Sequence, residues 1–285
     1  MPEGWQWDRT LFQGSAIHYE RGRLPYAPGF GEALAGMLGL DGRGRLLDVG
    51  CGPGIVTLPL ARFFTEAVGL DPDEDMLAEA ARRAGRDGVD NARWVAARAE
   101  VLPAGLGEFR VVVFAQSFHW TERERVAAAV LGMLEPGGTL VHISDLKDPP
   151  PATEPLPLPA PPYSLIGDLV RRYLGPVRRA GQGVLVNGTP GGEDAIFAGA
   201  GFEHAGRHVV PAGQVVVRTV DDLVAWAFSR SDSAPHLFGD RLDDYERDLR
   251  ETLLRESADG RFAEHIPPTE VRMWRRARDV RHGRR

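Results

Sequence analysis

The stretch Leu46-Leu47-Asp48-Val49-Gly50-Cys51-Gly52-Pro53-Gly54 decides how this chain folds. Two apolar residues and an Asp-Val pair end a short buried strand, and glycine then occupies every second position. Because glycine lacks a Cβ, the backbone at Gly50, Gly52 and Gly54 can bend sharply, and a ligand can lie against it. Pro53 suits the first turn of a following helix. The stretch therefore predicts a nucleotide-binding turn at the carboxyl end of a first β-strand.

The spacing of these glycines separates two kinds of nucleotide site. A dinucleotide turn reads G-x-G-x-x-G and holds a pyrophosphate, whereas this chain reads G-x-G-x-G with Ile55 in place of the third glycine. Asp48 would repel a pyrophosphate but suits an amino group. The combination resembles the first motif of class I S-adenosylmethionine-dependent methyltransferases, whose glycine loop packs against the amino acid part of the cofactor. The resemblance implies S-adenosylmethionine as cofactor, with Asp48, Cys51 and the three glycines in contact with it.

Composition restricts the class of protein. The chain has 285 residues, 43% of them hydrophobic, enough for one large α/β domain with a substantial core. It contains no run of about 18 apolar residues, so no membrane span is expected. The residues after Met1 have no signal-peptide pattern, and a single cysteine, Cys51, fits a reducing cytoplasm. Cys51 has no visible base beside it, so we interpret it as a packing residue and not as a nucleophile.

The charge of the chain bears on its partners. The formal net charge of −6 disfavours nucleic acid as a partner. Residues 271–285 are rich in arginine, and we interpret this tail as a solvated terminus. The eight histidines show no metal-ligand spacing, and neither C-x-x-C nor G-x-S-x-G occurs, so no metal site and no serine nucleophile are predicted.

Strands and helices alternate between residues 45 and 144. We predict strands at 45–49, 67–70, 92–96, 110–115 and 139–144, with helices at 53–64, from 73 onward and at 121–134. The later chain predicts a proline-rich linker at 146–162, helices at 163–179, 193–200 and 220–257, a strand at 202–211 extended by 215–218, and a last antiparallel strand at 269–276. This order predicts an α/β fold, a doubly wound seven-stranded mostly parallel sheet with helical lid insertions. We assign 1–44 to a flap and helix, 45–145 to the cofactor-binding core, and 146–285 to the linker, lid helices and last strands of the same domain.

An acidic residue follows the second strand, in the pair Asp71-Pro72. A carboxylate at this position can accept hydrogen bonds from both ribose hydroxyls, as the equivalent acid does in dinucleotide folds. Met76 follows in the first turn of the next helix. It can face the core, and in the methyltransferase family the equivalent methionine often touches adenine, so both roles are left open.

The loop Ala97-Arg98-Ala99-Glu100-Val101-Leu102-Pro103 resembles the family's adenine loop, G-D/S-A-E-x-L-P. The resemblance implies that the N–H of Ala99 meets an adenine nitrogen. Arg98 stands where the family has Asp or Ser, and arginine cannot accept a hydrogen bond. The adenine amino group is therefore expected to meet a backbone carbonyl, Glu100 or water.

Residues 1–28 are rich in aromatic side chains, including Trp5, Trp7 and Tyr19. They either anchor the segment on the core or form a flap over the cofactor. The segment from Tyr19 to Pro28 resembles the Y-x-x-x-R-P-x-Y-P lead-in of small-molecule methyltransferases similar to trans-aconitate methyltransferase, with Leu24 replacing one proline. That resemblance implies a cofactor contact from Tyr19.

Gln116-Ser117-Phe118-His119-Trp120 ends the fourth strand and resembles the family's A-Q-A-F-H-W motif, which faces the reactive methyl group. The resemblance places Gln116 against the cofactor. Methylases of nucleic acid amino groups carry N/D-P-P-Y/F here instead, so the sequence favours a small-molecule acceptor. His119 is the candidate catalytic residue: it can accept a proton, or line the pocket, or do neither.

Two classes of function remain. In the first, the protein transfers a methyl group in line from S-adenosylmethionine to a small molecule, and catalysis is mostly positioning. In the second, a protein of the same fold binds S-adenosylmethionine but catalyses a non-methylating reaction, such as a cyclisation, or serves as a binding module. A dehydrogenase is disfavoured by the glycine spacing.

Overall fold

The computed structural model describes residues 8, 10–149, 155–176, 179–180, 183–184 and 191–277. Trp5, Trp7, part of the proline-rich linker, part of the loop predicted at 188–192 and the tail from residue 278 lie outside these ranges. Within them, no helix has both the length and the apolar character needed to cross a membrane.

The sheet has seven strands in the order β3-β2-β1-β4-β5-β11-β8. The first five are parallel, and β11 runs antiparallel to both β5 and β8. The predicted seven-stranded, mostly parallel sheet is confirmed. The strands are β1 Arg45–Val49, β2 Glu66–Asp71, β3 Ala92–Ala96, β4 Phe109–Ala115, β5 Leu134–Asp145, β6 Arg179–Ala180, β7 Gly183–Val184, β8 Phe202–Val210, β9 Val215–Thr219, β10 Arg261–His265 and β11 Thr269–Arg276.

Helices flank the sheet and extend beyond it. They are α1 Ala16–Gly22, α2 Phe30–Leu38, α3 Thr57–Ala61, α4 Glu74–Asp87, α5 Arg123–Met133, α6 Tyr163–Leu174, α7 Glu193–Ala200, α8 Val220–Phe228 and α9 Leu242–Glu256, with 3₁₀ turns at Ala99–Val101, Phe118–Trp120 and Pro235–Arg241. Local chemistry sets their ends. The Asp73 side chain accepts from the N–H groups of Asp75 and Met76 at the start of α4, and Gly88 ends that helix in the left-handed conformation.

Alternating side chains of the parallel strands bury both faces of the sheet. One face packs on α5 and α7, and its buried residues include Leu47, Val49, Phe114, Val130, Phe197 and Trp274. The opposite face packs on α2 and α3, and its buried residues include Leu46, Val113, Val141, Leu34, Leu60 and Val271. A third apolar cluster joins α6, α8, α9 and β10 into a lid, through residues that include Ile166, Leu223, Phe228, Phe238, Tyr245 and Phe262.

Several predicted boundaries and one pairing are wrong. The first core helix is α3, which begins only at Thr57 because residues 52–56 form turns. Strand β5 begins at Leu134 and not at 139, since residues 135–138 lie inside it as an irregularity in the pairing with β4. Helix α6 ends at Leu174 and not near 179.

Strand β9 does not extend the strand before it. It pairs antiparallel with β10, a strand that the sequence did not predict, and the two form a separate ribbon in the lid. The predicted insertion at 220–257 is helical but is interrupted between α8 and α9. The ribbon arises from pairing between segments more than forty positions apart, such as Arg218 with Phe262, which no local pattern reveals.

Helix α1 connects the lid to the core. Gly22 packs so tightly on α8 that a Cβ there would lie 2.4 Å from the backbone oxygen of Ala225. On the other side, Glu20 accepts hydrogen bonds from Arg86 of α4 at 2.8 and 3.0 Å. These contacts hold the N-terminal segment across the carboxyl edge of the sheet.

Candidate functional site

Two joined cavities lie at the carboxyl edge of the parallel strands, where α/β sheets bind ligands. The larger has a volume of about 500 Å³ and the smaller about 110 Å³. Both are lined by Phe12, Tyr19, Gly50, Gly52, Ala115, Gln116 and Trp120. Of the thirteen residues predicted for the site, all except Gly54 line one or both cavities.

The glycine loop forms the floor between the cavities. Gly50, Gly52 and Gly54 have φ values of +70°, +52° and +75°, a region that L side chains rarely adopt. A Cβ on Gly50 would lie 2.6 Å from Ser117, and one on Gly54 would lie 2.9 Å from Trp94. A Cβ on Gly52 would meet no atom of the described residues within 4 Å. Gly54 is therefore needed so that Trp94 can pack against the loop, and Gly52 is the glycine that a ligand can approach.

Asp48 is fully buried beneath the loop and lines the larger cavity. Its Oδ2 accepts a hydrogen bond of 2.6 Å from the Thr57 hydroxyl, while its Oδ1 has no partner within the described part of the chain. Burial raises the pKa of this carboxyl to about 7. A buried carboxylate oxygen without a donor is suited to receive an ammonium group. Cys51 lines the same cavity, and burial raises the pKa of its thiol well above the usual value, which keeps the thiol protonated.

Asp71 lies at the end of β2 and lines the smaller cavity. Its Oδ2 accepts from the Gly52 N–H at 2.8 Å and its Oδ1 from the Asp73 N–H at 2.9 Å. Burial raises the pKa of the carboxyl to about 6. Each oxygen keeps a further lone pair, so the carboxylate can brace the glycine loop and still accept from ligand hydroxyls.

Pro72, Met76, Ala99 and Glu100 complete the smaller cavity together with Asp71. The carboxylate of Glu100 is buried and already engaged: Oε1 accepts from the Glu122 N–H at 2.9 Å, and Oε2 lies 3.2 Å from Nε of Arg98. Glu100 therefore holds the loop together. Arg98 also lines this cavity, a position that the sequence marked only as a departure from the family pattern.

The N-terminal segment covers both cavities through Phe12 and Tyr19, and the ring of Phe12 meets Trp120 edge to face at 5.9 Å. Arg23 lines the larger cavity. Its guanidinium carbon lies 5.1 Å from the centre of the Tyr19 ring and one terminal nitrogen donates to the Ser229 carbonyl at 2.9 Å. Its Nε is buried with no partner within the described ranges, so Arg23 has an unused cationic donor, and Asp48, with its unused oxygen, lines the same cavity.

Gln116 and His119 follow β4. Gln116 has a φ of +55°, unusual for a residue other than glycine, and its N–H donates to the Ile143 carbonyl at 3.0 Å. Its side-chain Nε2 donates to Oδ2 of Asp145 at 2.9 Å. A strained backbone at such a position is typical of a functional site.

The His119 ring lines the larger cavity and lies 4.5 Å from the ring of Trp120, centre to centre. Burial, with a smaller effect of the neighbouring His142, lowers the pKa of His119 to about 4. The imidazole is therefore neutral at neutral pH. It can accept a proton, but only as a weak base.

The outer wall of the larger cavity comes from the lid, and none of its residues was among the predicted site residues. Its charged and aromatic residues are Tyr163, Trp226, Arg230, Asp232 and Glu264, and Asp145 at the end of β5 lines the same cavity. Glu264 accepts from the Tyr163 hydroxyl at 2.6 Å and from Arg218 at 2.7 Å. Arg230 makes two hydrogen bonds to Asp232, of 2.9 and 3.0 Å, and lies over the Trp226 ring at 4.7 Å. No group of three His, Cys, Asp or Glu side chains suited to a metal occurs in the described ranges.

Comparisons with known proteins agree with this geometry. Residues 46–138 match a family described as a methyltransferase domain. An uncharacterized methyltransferase of Mycobacterium tuberculosis is 34% identical over 142 residues, which are 50% of this chain and 55% of that protein. The chain thus spans about half the length of this curated relative. A 23S rRNA (uracil(1939)-C(5))-methyltransferase of Aeromonas salmonicida is 48% identical over only 63 residues, 22% of this chain and 14% of that protein.

Solved structures share the whole architecture at low identity. The CcbJ methyltransferase from Streptomyces caelestis superposes with a TM-score of 0.51 and 18% identity, covering 95% of this chain and 100% of that one. The YcgJ protein from Bacillus subtilis gives a TM-score of 0.50 and 15% identity, covering 87% and 98%. These likenesses establish a Rossmann-like methyltransferase fold.

Proposed function

We propose that this chain, whose residues 46–138 form a methyltransferase domain, is an S-adenosylmethionine-dependent methyltransferase acting on a small-molecule acceptor. The observation that carries the proposal is the pair of cavities that meet at the glycine loop, with Asp71 in one and the unpartnered Oδ1 of Asp48 in the other.

The residues present fit the two ends of S-adenosylmethionine. The smaller cavity would hold the adenosine, with Asp71 accepting from the ribose hydroxyls and Met76 and Ala99 against the adenine. In the larger cavity, Oδ1 of Asp48 would receive the ammonium and Nε of Arg23 the carboxylate. Gly52 leaves room for the chain between them. When bound, the cofactor supplies an already activated methyl group on a sulfonium.

The protein's own contribution is to position the reactants and exclude water. Phe12 and Trp120 close over the junction of the cavities, and Gln116 lies on both sides of it. The acceptor would occupy the remainder of the larger cavity, whose volume lies within the range of small-molecule sites. The lid walls this space with Tyr163 and Trp226, which favours a small acceptor over a nucleic acid duplex.

Isothermal titration calorimetry tests the cofactor assignment. We expect S-adenosylmethionine and S-adenosylhomocysteine to bind with micromolar or better affinity and NAD not to bind. An Arg23→Met variant should lose about 1.5–3 kcal/mol of binding free energy for both ligands, because it removes a charged hydrogen bond to the carboxylate. NAD binding, or no binding of either methionine derivative, would overturn the proposal.

An assay of acceptor-dependent methyl transfer then separates the two classes of function. Release of S-adenosylhomocysteine that depends on an added acceptor supports the methyltransferase. Tight cofactor binding without transfer to any acceptor would instead favour a non-methylating protein of this fold.

A further inference from the structure

Among the residues that the structure describes, four carboxylates line the larger cavity: Asp48, Asp145, Asp232 and Glu264. The free oxygen of Asp48 is assigned to the cofactor ammonium, and Asp232 and Glu264 already have arginine partners. Asp48 also accepts a hydrogen bond from Thr57 beneath the glycine loop. Asp232 accepts two hydrogen bonds from Arg230. Glu264 accepts hydrogen bonds from Tyr163 and Arg218.

Asp145 differs from the other three. It is the last residue of β5, and it lines the larger cavity but not the smaller one. Within the described part of the chain, its one hydrogen-bond donor is the neutral Gln116 amide, which uses Oδ2. Its Oδ1 is therefore open to a ligand on the acceptor side of the cavity.

From this placement we infer that Asp145 is the proton acceptor of the reaction and that the acceptor molecule is an uncharged aromatic hydroxyl compound, a phenol. The inference rests on the proposed methyltransferase function. Oδ1 of Asp145 would accept the hydrogen bond of the hydroxyl and take its proton as the methyl group replaces it on oxygen. The methyl donor leaves as a neutral thioether, so the positive charge of its sulfonium ends as the proton on Asp145, which then passes to water.

The charges of the cavity argue against an anionic acceptor. Arg230 is held by Asp232, and Arg23 is assigned to the cofactor carboxylate. An acceptor carboxylate would therefore find no free arginine among the described residues that line this cavity, and it would face Asp145, Asp232 and Glu264. An ammonium acceptor would pair with Asp145, but it has no lone pair for attack on the methyl group until it loses a proton, and the ion pair with Asp145 would oppose that loss. A hydroxyl avoids both conflicts.

The walls of the cavity favour a flat ring on the acceptor. The ring centres of Tyr163 and Trp226, both in the lid, lie 4.4 Å apart. The ring centres of Phe12 in the N-terminal segment and Trp120 after β4 lie 5.9 Å apart. Aromatic side chains of this kind bind flat apolar rings well. Desolvation by the surrounding protein also raises the pKa of Asp145, which makes its carboxylate a stronger base than an ordinary one.

A matched panel of compounds tests the acceptor class. The panel contains several phenols and, for each, the aniline and the benzoate with the same ring, and methyl transfer is followed by release of S-adenosylhomocysteine. We expect transfer to phenols and none to benzoates. Transfer to anilines but not phenols, or binding of S-adenosylmethionine with transfer to no phenol, would overturn the acceptor assignment while leaving the cofactor site intact. Failure to bind S-adenosylmethionine would overturn the proposed function itself.

Two variants test the role of Asp145. Asp145→Asn keeps the shape and can still accept a hydrogen bond, but it is not a base, so we expect kcat to fall by about 10²–10⁴-fold. Calorimetry should show unchanged affinity for S-adenosylhomocysteine and near-unchanged binding of the phenol to that complex. Asp148→Asn, a substitution of an exposed neighbour that lines neither cavity, should leave every quantity unchanged. A kcat of Asp145→Asn equal to that of the wild type would overturn the role.

Discussion

The two walls of the ligand cavity are built in different ways. The cofactor wall belongs to the sheet and uses contacts between residues close in sequence, such as Thr57 with Asp48, nine positions apart, and Gly52 with Asp71, nineteen apart. The acceptor wall belongs to the lid and uses distant partners: Tyr163 and Glu264 are 101 positions apart, and Arg218 and Glu264 are 46 apart.

The first wall therefore depends on backbone geometry, and the second depends on exchangeable side chains. The cofactor wall depends on backbone conformation, with three glycines at positive φ, and few other residues can replace them. The acceptor wall depends on side-chain pairs mounted on helices and a ribbon. A pair can be exchanged there without altering the sheet, so the two walls should respond differently to substitution.

Gly52→Val should have the largest effect, the loss of cofactor binding. Valine is strained at the φ of +52°, and its side chain would project into the space left for the ligand, since no protein atom occupies it. Calorimetry with S-adenosylhomocysteine measures the affinity, and circular dichroism checks the fold. Gly85→Val is the matched control, because Gly85 lies in α4 with open space around it. Normal binding by a folded Gly52→Val variant would refute the loop assignment.

Arg218→Met should have the next largest effect, on stability. Arg218 is buried and donates to Glu264 at 2.7 Å and to the Gly22 carbonyl at 2.7 Å, so it ties β9, β10 and α1 together. Its loss leaves the carboxylate of Glu264, whose side chain is only 12% exposed, without a cation, at an expected cost of about 3–5 kcal/mol of unfolding free energy. Urea denaturation measures the change.

The control for this substitution is Arg247→Met. Arg247 pairs with Asp244 at 2.7 Å on α9, but both side chains are more than half exposed. Such surface pairs contribute about 0–1 kcal/mol. Equal losses of unfolding free energy in the two variants would show that the Arg218–Glu264 pair stabilises the lid no more than a surface pair does.

The sequence predicted the cofactor wall far better than the acceptor wall, for a physical reason. Asp48, Gly52 and Asp71 lie at the ends of parallel strands, and parallel strands bring their carboxyl ends to one edge whatever the details of packing. Alternation of strand and helix was therefore enough to bring these residues together. Glu264, by contrast, lies on β10, which exists only because it pairs with β9.

The predicted helix boundaries failed where tertiary contacts override local preference. Pro53 suits a first helical turn, yet the loop keeps turning to residue 56 because the Gly52 N–H is bound by Asp71 and the Gly54 N–H by the Cys51 carbonyl. Asp145 was not singled out because no motif marks an acid after the fifth strand, whereas Asp71 stands after the second strand, where dinucleotide folds carry a ribose-binding acid. Only its position beside Gln116, which the structure shows, distinguishes it.

The pH dependence of ligand binding should be a smaller but directional effect. Burial raises the pKa of Asp48 to about 7 and that of Asp71 to about 6. An ammonium binds the ionised form of Asp48, so affinity for S-adenosylhomocysteine should rise with pH and be about tenfold weaker at pH 6 than at a pH well above 7. Calorimetry in two buffers of different ionisation enthalpy should also show proton release on binding below pH 7.

The folding stability of the unliganded protein should change with pH in the opposite direction. Both pKa values are raised on folding, so the folded state binds more protons, and this contribution to stability is present below about pH 4 and is lost as pH rises through 6 to 7.

Asp48→Asn should remove the larger part of the pH dependence of binding, and Asp148→Asn should not. An affinity that is constant between pH 5.5 and 8 would contradict the placement of the ammonium at Asp48.

His119→Gln should have the smallest effect and should tell a wall residue from a base. The pKa of His119 is lowered to about 4, so its imidazole is neutral and a poor proton acceptor, while Asp145 faces the same cavity with an open oxygen. With a phenol that is methylated by the wild type, we expect KM for the phenol to rise while kcat stays within about threefold between pH 6 and 9, as for loss of binding common to ground and transition states. Affinity for S-adenosylhomocysteine should not change. A fall in kcat of about 10²-fold or more at saturating phenol would instead make His119 the base. Asp145→Asn, measured beside it, shows which of the two residues receives the proton.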